Sequence, residues 1–148
     1  MYSGRPSDAL AVLNNEAERP VNTHTGLVSA VEATAGALAG HGNPSDAVRH
    51  SLDYLRSQPA AVFTAAQACA ALGDLVATFS ILHGYYFGRG PWSKVAPAAG
   101  DADRQTSSLF LPPMRLAWQD AQFAQLIEEV GLEDYWRGSG VVPDFRRR

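Results

Sequence analysis

The groups in this 148-residue chain that could do chemistry are few: four histidines, one cysteine and fifteen acidic residues. On a helix, His50 shares a face with Asp46 and Asp53, a spacing that could present two ligands to one metal ion. Zinc needs three or four protein ligands with supporting hydrogen bonds, and His24, His41 and His83 have no partner positions in the sequence. No metal site is therefore expected. Cys69 has no basic neighbour to lower its pKa and lies on an apolar stripe between Ala66 and Gly73, so it reads as a small core side chain and not a nucleophile. Glu128 and Glu129 are adjacent on a helix and diverge by about 100°, and Asp101 and Asp103 fall in a loop, so both acidic pairs read as solvated surface. Gly138-Ser139-Gly140 is too short to be a nucleophile elbow, and no glycine-rich stretch ends in the Gly-Lys-Ser/Thr of a phosphate-binding loop. The expectation is no catalytic residue and no cofactor.

What must position any site is one domain of ordinary composition. At 46% hydrophobic, the chain can bury one core and is too short for two. Its net charge of −3 gives no basic footprint for nucleic acid or an anionic membrane surface; Arg146-Arg147-Arg148 is the only basic run. A single cysteine forbids an intrachain disulfide, and no apolar leader or membrane-length stretch stands out, so the sequence reads as soluble and cytoplasmic.

Periodicity predicts helices throughout. Leu27, Val31, Ala35 and Leu38 recur on one face between Gly26 and Ala39. Pro44 with Ser45 or Asp46 starts a helix whose stripe is Val48, Leu52 and Leu55, and Pro59 ends it. A third helix spans about 60–72 and closes on Gly73. Asp74 caps a fourth, carrying Leu75, Phe79, Leu82 and Tyr86. Prolines and glycines make 92–118 irregular, with extended chain or short helical turns anchored by Phe110, Leu111 and Trp118. Regular period returns at Phe123, Leu126, Ile127 and Val130, followed by a short turn bearing Leu132, Tyr135 and Trp136.

One motif occurs twice. Gly4-Arg5-Pro6-Ser7-Asp8-Ala9 matches Gly42-Asn43-Pro44-Ser45-Asp46-Ala47, and Gly73 precedes a third helix with Thr78 at the place of the alanine. The glycines are 38 and 31 residues apart, straddling the period of about 34 of one helical repeat. With Gly42, Ala47, Tyr54 and Pro59 at the turn, packing, contact and closing positions, the region 4–90 resembles a degenerate tetratricopeptide repeat array. Thr78, Pro91 and Val31 depart from its pattern. The run Asp120-Ala121-Gln122-Phe123, then Gly131-Leu132-Glu133-Asp134-Tyr135-Trp136, Gly140 and Pro143-Asp144-Phe145 is similar to the closing segment of bacterial tetratricopeptide-containing regulators. Those proteins often carry an adenylate-cyclase or winged-helix module ahead of the repeats; no residue of either is matched here.

The resemblance implies an all-α protein: antiparallel hairpins stacked as a short right-handed solenoid with a C-terminal capping helix. It divides into half a repeat at 4–20, repeats at 26–59 and 60–91, the irregular 92–118, and a closing segment at 119–148. It implies a non-enzymatic interaction module that takes a protein or peptide on the face of its first helices, at Ser29, Glu32 and Gly36 in one unit and Phe63, Gln67 and Ala70 in the next. Tyr85, Tyr86, Phe87, Trp92, Trp118 and Trp136 are expected to cover the end of the stack, the alternative being an exposed aromatic recognition patch. A small helical enzyme using the histidines and the acidic loop, and a self-association module, are the competing readings. The half repeat at the start leads to the further expectation that the chain is the C-terminal part of something longer.

Overall fold

Seven α-helices and several 3₁₀ turns account for the described residues, among which no strand occurs. A computed structural model of the chain describes residues 5–15, 17, 24–95 and 105–146. The helices are α1 Pro6–Asn14, α2 Thr25–Leu38, α3 Pro44–Ser57, α4 Val62–Ala71, α5 Leu75–Phe87, α6 Ala121–Glu129 and α7 Leu132–Ser139. Gly4 and Asp101 to Asp103 lie outside the described residues.

Local chemistry explains the boundaries. The Asn43 side chain accepts from Ser45 N at 2.9 Å and opens α3 with Pro44 in its first turn. Asp74 Oδ1 accepts from Ala77 N at 2.9 Å to start α5, and Asp120 Oδ1 from Gln122 N at 2.8 Å to start α6. The cap of α2 is the ring of His24, whose Nδ1 accepts from Gly26 N at 3.1 Å. His24 thus has a local structural role that its residue type alone does not suggest. Pro59 ends α3 as expected, but opens a 3₁₀ turn, Pro59–Ala61, that leads straight into α4. Gly73 adopts φ +83°, the left-handed conformation that lets the chain reverse between α4 and α5.

The helices pack in sequence order: α1 on α2, α2 on α3, α3 on α4 and α4 on α5. Small residues allow the close approach. Ala30, Ala35, Ala47, Ala65, Ala66 and Ala70 are all buried. Cys69 is buried among them, as its stripe predicts. Thr78 also fits in the core because its hydroxyl donates to Asp74 O at 2.7 Å, so the departure from alanine leaves no orphan group.

α5 differs from the others. Thr78, Phe79, Ile81, Leu82, Tyr85 and Tyr86 are buried over more than half of its circumference, a wider buried face than on the other helices, with Val76 left exposed on the remaining side. It is enclosed by α4, the 3₁₀ segment Gly90–Val95, α6 and the 3₁₀ segment Pro112–Gln119. Where it is described, at residues 92–95 and 105–118, the proline-rich stretch is therefore packed structure. Leu109, Met114 and Ala117 are its buried anchors, while Phe110 and Trp118 are half-buried. Leu111, expected as an anchor, is 42% exposed. Leu111 is the extended link between the 3₁₀ turns Ser107–Phe110 and Pro112–Gln119, so its side chain belongs to neither packed turn. Tyr85 and Tyr86 hold its start: Tyr85 Oη accepts from Gln105 N at 3.2 Å, and Tyr86 Oη donates to Gln105 O.

Candidate functional site

α2 and α4 are the first helices of two successive hairpins, and they touch only lightly. A cavity of about 490 Å³ lies between them. One wall is α2, through Ala30, Val31, Thr34 and Leu38; the opposite wall is α4, through Thr64, Gln67, Ala68 and Ala71. Ser51 of α3 contributes from behind, Pro112, Pro113, Arg115 and Leu116 border another side, and the space is open to solvent. The short alanine side chains keep the space open. The fixed φ of Pro112 and Pro113 holds the segment that borders it in a tight 3₁₀ path.

The polar groups are sparse. Thr34 Oγ1 donates to Ala30 O at 2.7 Å within its own helix. Gln67 Nε2 donates to Ser108 O at 3.2 Å and so ties α4 to the turn before Pro112. Ser51 is 2% exposed and its hydroxyl has no hydrogen-bond partner among the described residues. Arg115 is the one charged side chain among the lining residues; it is exposed and makes no ion pair among the described residues. Leu38 and Leu116, at 38% and 52% exposure, add apolar surface.

Of the six face residues inferred from repeat position, Gln67 lines this cavity. Ser29 is exposed on α2, while Glu32 and Gly36 are half-buried beside the lining positions. Phe63 turns to the other side of α4, its ring 4.8 Å from that of Tyr85 in an edge contact. Ala70 is wholly buried in the core. The cavity-facing register on α2 runs through residues 30, 31, 34 and 38, which at about 100° per residue is the opposite side of the helix from Ser29, Glu32 and Gly36. Val31 and Leu38, which line it, were expected on the apolar stripe of α2. Ser51 was missed, although the sequence carries its signal: it stands three residues after Val48 and four before Leu55, a hydroxyl on a stripe otherwise apolar.

The remaining chemistry-bearing side chains do not converge. No group of three or more His, Cys, Asp or Glu that could hold a metal occurs among the described residues. The His83 ring lies 5.9 Å from that of Phe87, and Glu129 pairs with Arg89 at 2.6 Å. At the C-terminal end, Phe145 is the hub of an aromatic cluster, its ring 5.3 Å from Phe110, 5.8 Å from Phe123 and 5.9 Å from both Trp118 and Trp136. Trp118 Nε1 donates to Leu109 O at 2.8 Å. A smaller hollow of about 290 Å³ lies beside this cluster, bordered by Arg115 and Arg146. No helix among the described residues is long and apolar enough to cross a membrane. Compared with models of protein families, with characterised proteins and with solved structures, the chain matches none.

Proposed function

We propose that the chain is a non-enzymatic interaction module of tetratricopeptide-like hairpins, which docks a protein or peptide partner on the face shared by α2, α4 and the Pro112–Gln119 segment. The observation that carries this reading is the meeting of the two first helices around one cavity, flanked by exposed Leu38 and Leu116. Helices packed each on its sequence neighbour are what a repeat array needs, since every unit buries its apolar face against the next. The aromatic cluster around Phe145 supports the tail as the closing segment of such an array, with Phe123, Trp136 and Phe145 from the three parts of the tail motif in one group. On that resemblance, the module is part of a larger bacterial signalling or transcriptional regulator.

Panning the purified full chain with a displayed random-peptide library tests the reading. Enriched peptides should share an apolar consensus and lose binding to the double variant Leu38→Asp, Leu116→Asp, whose circular dichroism should be unchanged because both side chains are exposed. Absence of a consensus, or binding indifferent to the double variant, would defeat the proposal. Sedimentation over a range of concentrations identifies a second copy of the chain as the partner.

A further inference from the structure

We infer that residues 143–146 are an exchangeable arm: the site that receives Phe145 and Arg146 within one chain accepts the same arm from a second copy, and two copies form a dimer by exchanging it. The interface is separate from the docking face on α2 and α4.

The arm and its receiving site divide cleanly along the chain. The arm contributes two neighbouring side chains, Phe145 and Arg146. Everything that receives them precedes the hinge formed by Gly140, Val141 and Val142. The Phe145 ring packs on Phe110, Trp118, Phe123 and Trp136. Arg146 donates to the Glu133 carboxylate at 3.1 Å and lies over the Trp136 ring. No contact of the arm therefore depends on which copy supplies it, the condition for a swapped dimer to form at little expense in free energy.

The return path that keeps the arm on its own chain is weakly held. Arg146 reaches back thirteen residues to Glu133, so the chain must reverse after α7. Gly140 makes that reversal at φ +67°, a conformation open to glycine. Val141 and Val142 follow with exposed side chains. The bond from Val141 N to Ser139 Oγ is long, at 3.5 Å. Val142 precedes Pro143, which biases it toward extended backbone and so toward an open hinge. α7 itself has no buried residue. Nor is Phe145 enclosed, because the hollow of about 290 Å³ borders it, and its ring can leave without parting the core.

Exchange also offers something that one chain lacks. The chain then leaves α7 without reversing, so Gly140 needs no positive φ. The two hinges cross at the dimer axis and bring Val141 and Val142 of both copies together, which covers apolar surface that a single copy leaves in water.

Sedimentation of the full chain tests this through the hinge. A short flexible hinge closes the arm on its own chain at an effective concentration of about 1 mM, and Gly140→Val acts against that closure alone. A Cβ at Gly140 meets nothing within 4 Å, while a β-branched residue at positive φ is strained. Because each dimer relieves two hinges, Gly140→Val should tighten self-association at least about tenfold. Adding Phe145→Ala should restore the monomer. A blocked peptide of residues 140–146 should dissociate the dimer, and the same peptide with alanine in place of Phe145 should not. The peptide should also bind the Phe145→Ala chain saturably, read from tryptophan fluorescence, a measurement that needs no hinge variant. The inference is overturned if Gly140→Val stays monomeric up to about 1 mM, if its dimer survives Phe145→Ala, or if the peptide does not bind saturably. Leu38→Asp, Leu116→Asp should leave the arm dimer intact; its loss would move self-association to the docking face and overturn the inference, so the two proposals fail separately.

Discussion

The main chain of Trp92 lies directly on Gly84: a Cβ at Gly84 would stand 2.5 Å from the Trp92 carbonyl oxygen and 2.6 Å from its Cβ. Two backbones, not a flexible side chain, meet there, which is how the Gly90–Val95 turn seats on α5. The half-buried Trp92 ring continues the contact to α3, with the Arg56 guanidinium 5.5 Å from its centre. Gly84→Ala must push these elements apart, and the expected loss is about 2–3 kcal/mol in urea denaturation. Gly36 is the control. It lies inside α2, and a Cβ there would meet nothing within 4 Å, so Gly36→Ala should gain about 0.5–1 kcal/mol from helix propensity. Equal effects at the two glycines would show that the Trp92 contact is not made.

Ser51 gives a prediction for the free protein that does not depend on any ligand. Its hydroxyl is buried without a partner among the described residues, and alanine is the better helix former. Ser51→Ala should therefore raise stability by about 1 kcal/mol, in contrast to the usual cost of a core substitution. Its neighbour one turn back behaves oppositely. Ala47 is 1% exposed, and Ala47→Arg would force a long cation into a close helix contact, with loss of helicity by circular dichroism. Retention of full helicity would mean that α3 is not packed as described.

The helical class was legible because the apolar spacing within α2, α3 and α6 has the helical period and each helix has a local start or stop signal. The face that borders the cavity was less so. Its register on α2 depends on which side of the helix meets α4, and the positions taken from the repeat, Ser29, Glu32 and Gly36, fall on the other side. The centrality of α5 could not be read from its own residues: it follows from Pro112–Gln119 and Gly90–Val95 folding back over it, through contacts between residues far apart in sequence. The same return of the chain moved the anchors of the proline-rich stretch to Leu109, Met114 and Ala117 and left Leu111 outside.

The tail is held by a titratable pair. Arg146 makes two hydrogen bonds to the Glu133 carboxylate, one of them 3.1 Å, while its guanidinium lies 5.3 Å from the Trp136 ring centre. The bond from Arg146 holds the Glu133 carboxyl below the usual glutamate value. A folded pKa that is depressed adds stability above the unfolded value, and that stability is lost as pH falls through the folded one. Trp136 fluorescence should therefore report loosening of the tail as the solution is acidified below the ordinary carboxylate range, before the whole chain unfolds. Glu133→Gln should flatten that response. An identical acid profile in the variant would remove the pair as its cause.

Cys69 supplies a probe of global opening. Burial, with the negative charge of Asp74 adding to it, pushes its thiol up to about 12 from 9.0. At about pH 8 almost no thiolate exists in the folded chain, and Cys69 is also wholly buried in the core. A thiol reagent should therefore leave the native protein unlabelled and react at once when denaturant is added. In the absence of denaturant, labelling should proceed only through opening, and destabilising the chain with Gly84→Ala should speed it. The raised pKa also has a pH consequence. The thiol is protonated in both states below its ordinary value, so stability from this group is intact there and falls as pH rises from about 9 toward about 12. Rapid stoichiometric labelling of the native chain would place Cys69 at the surface and contradict the packing of α4.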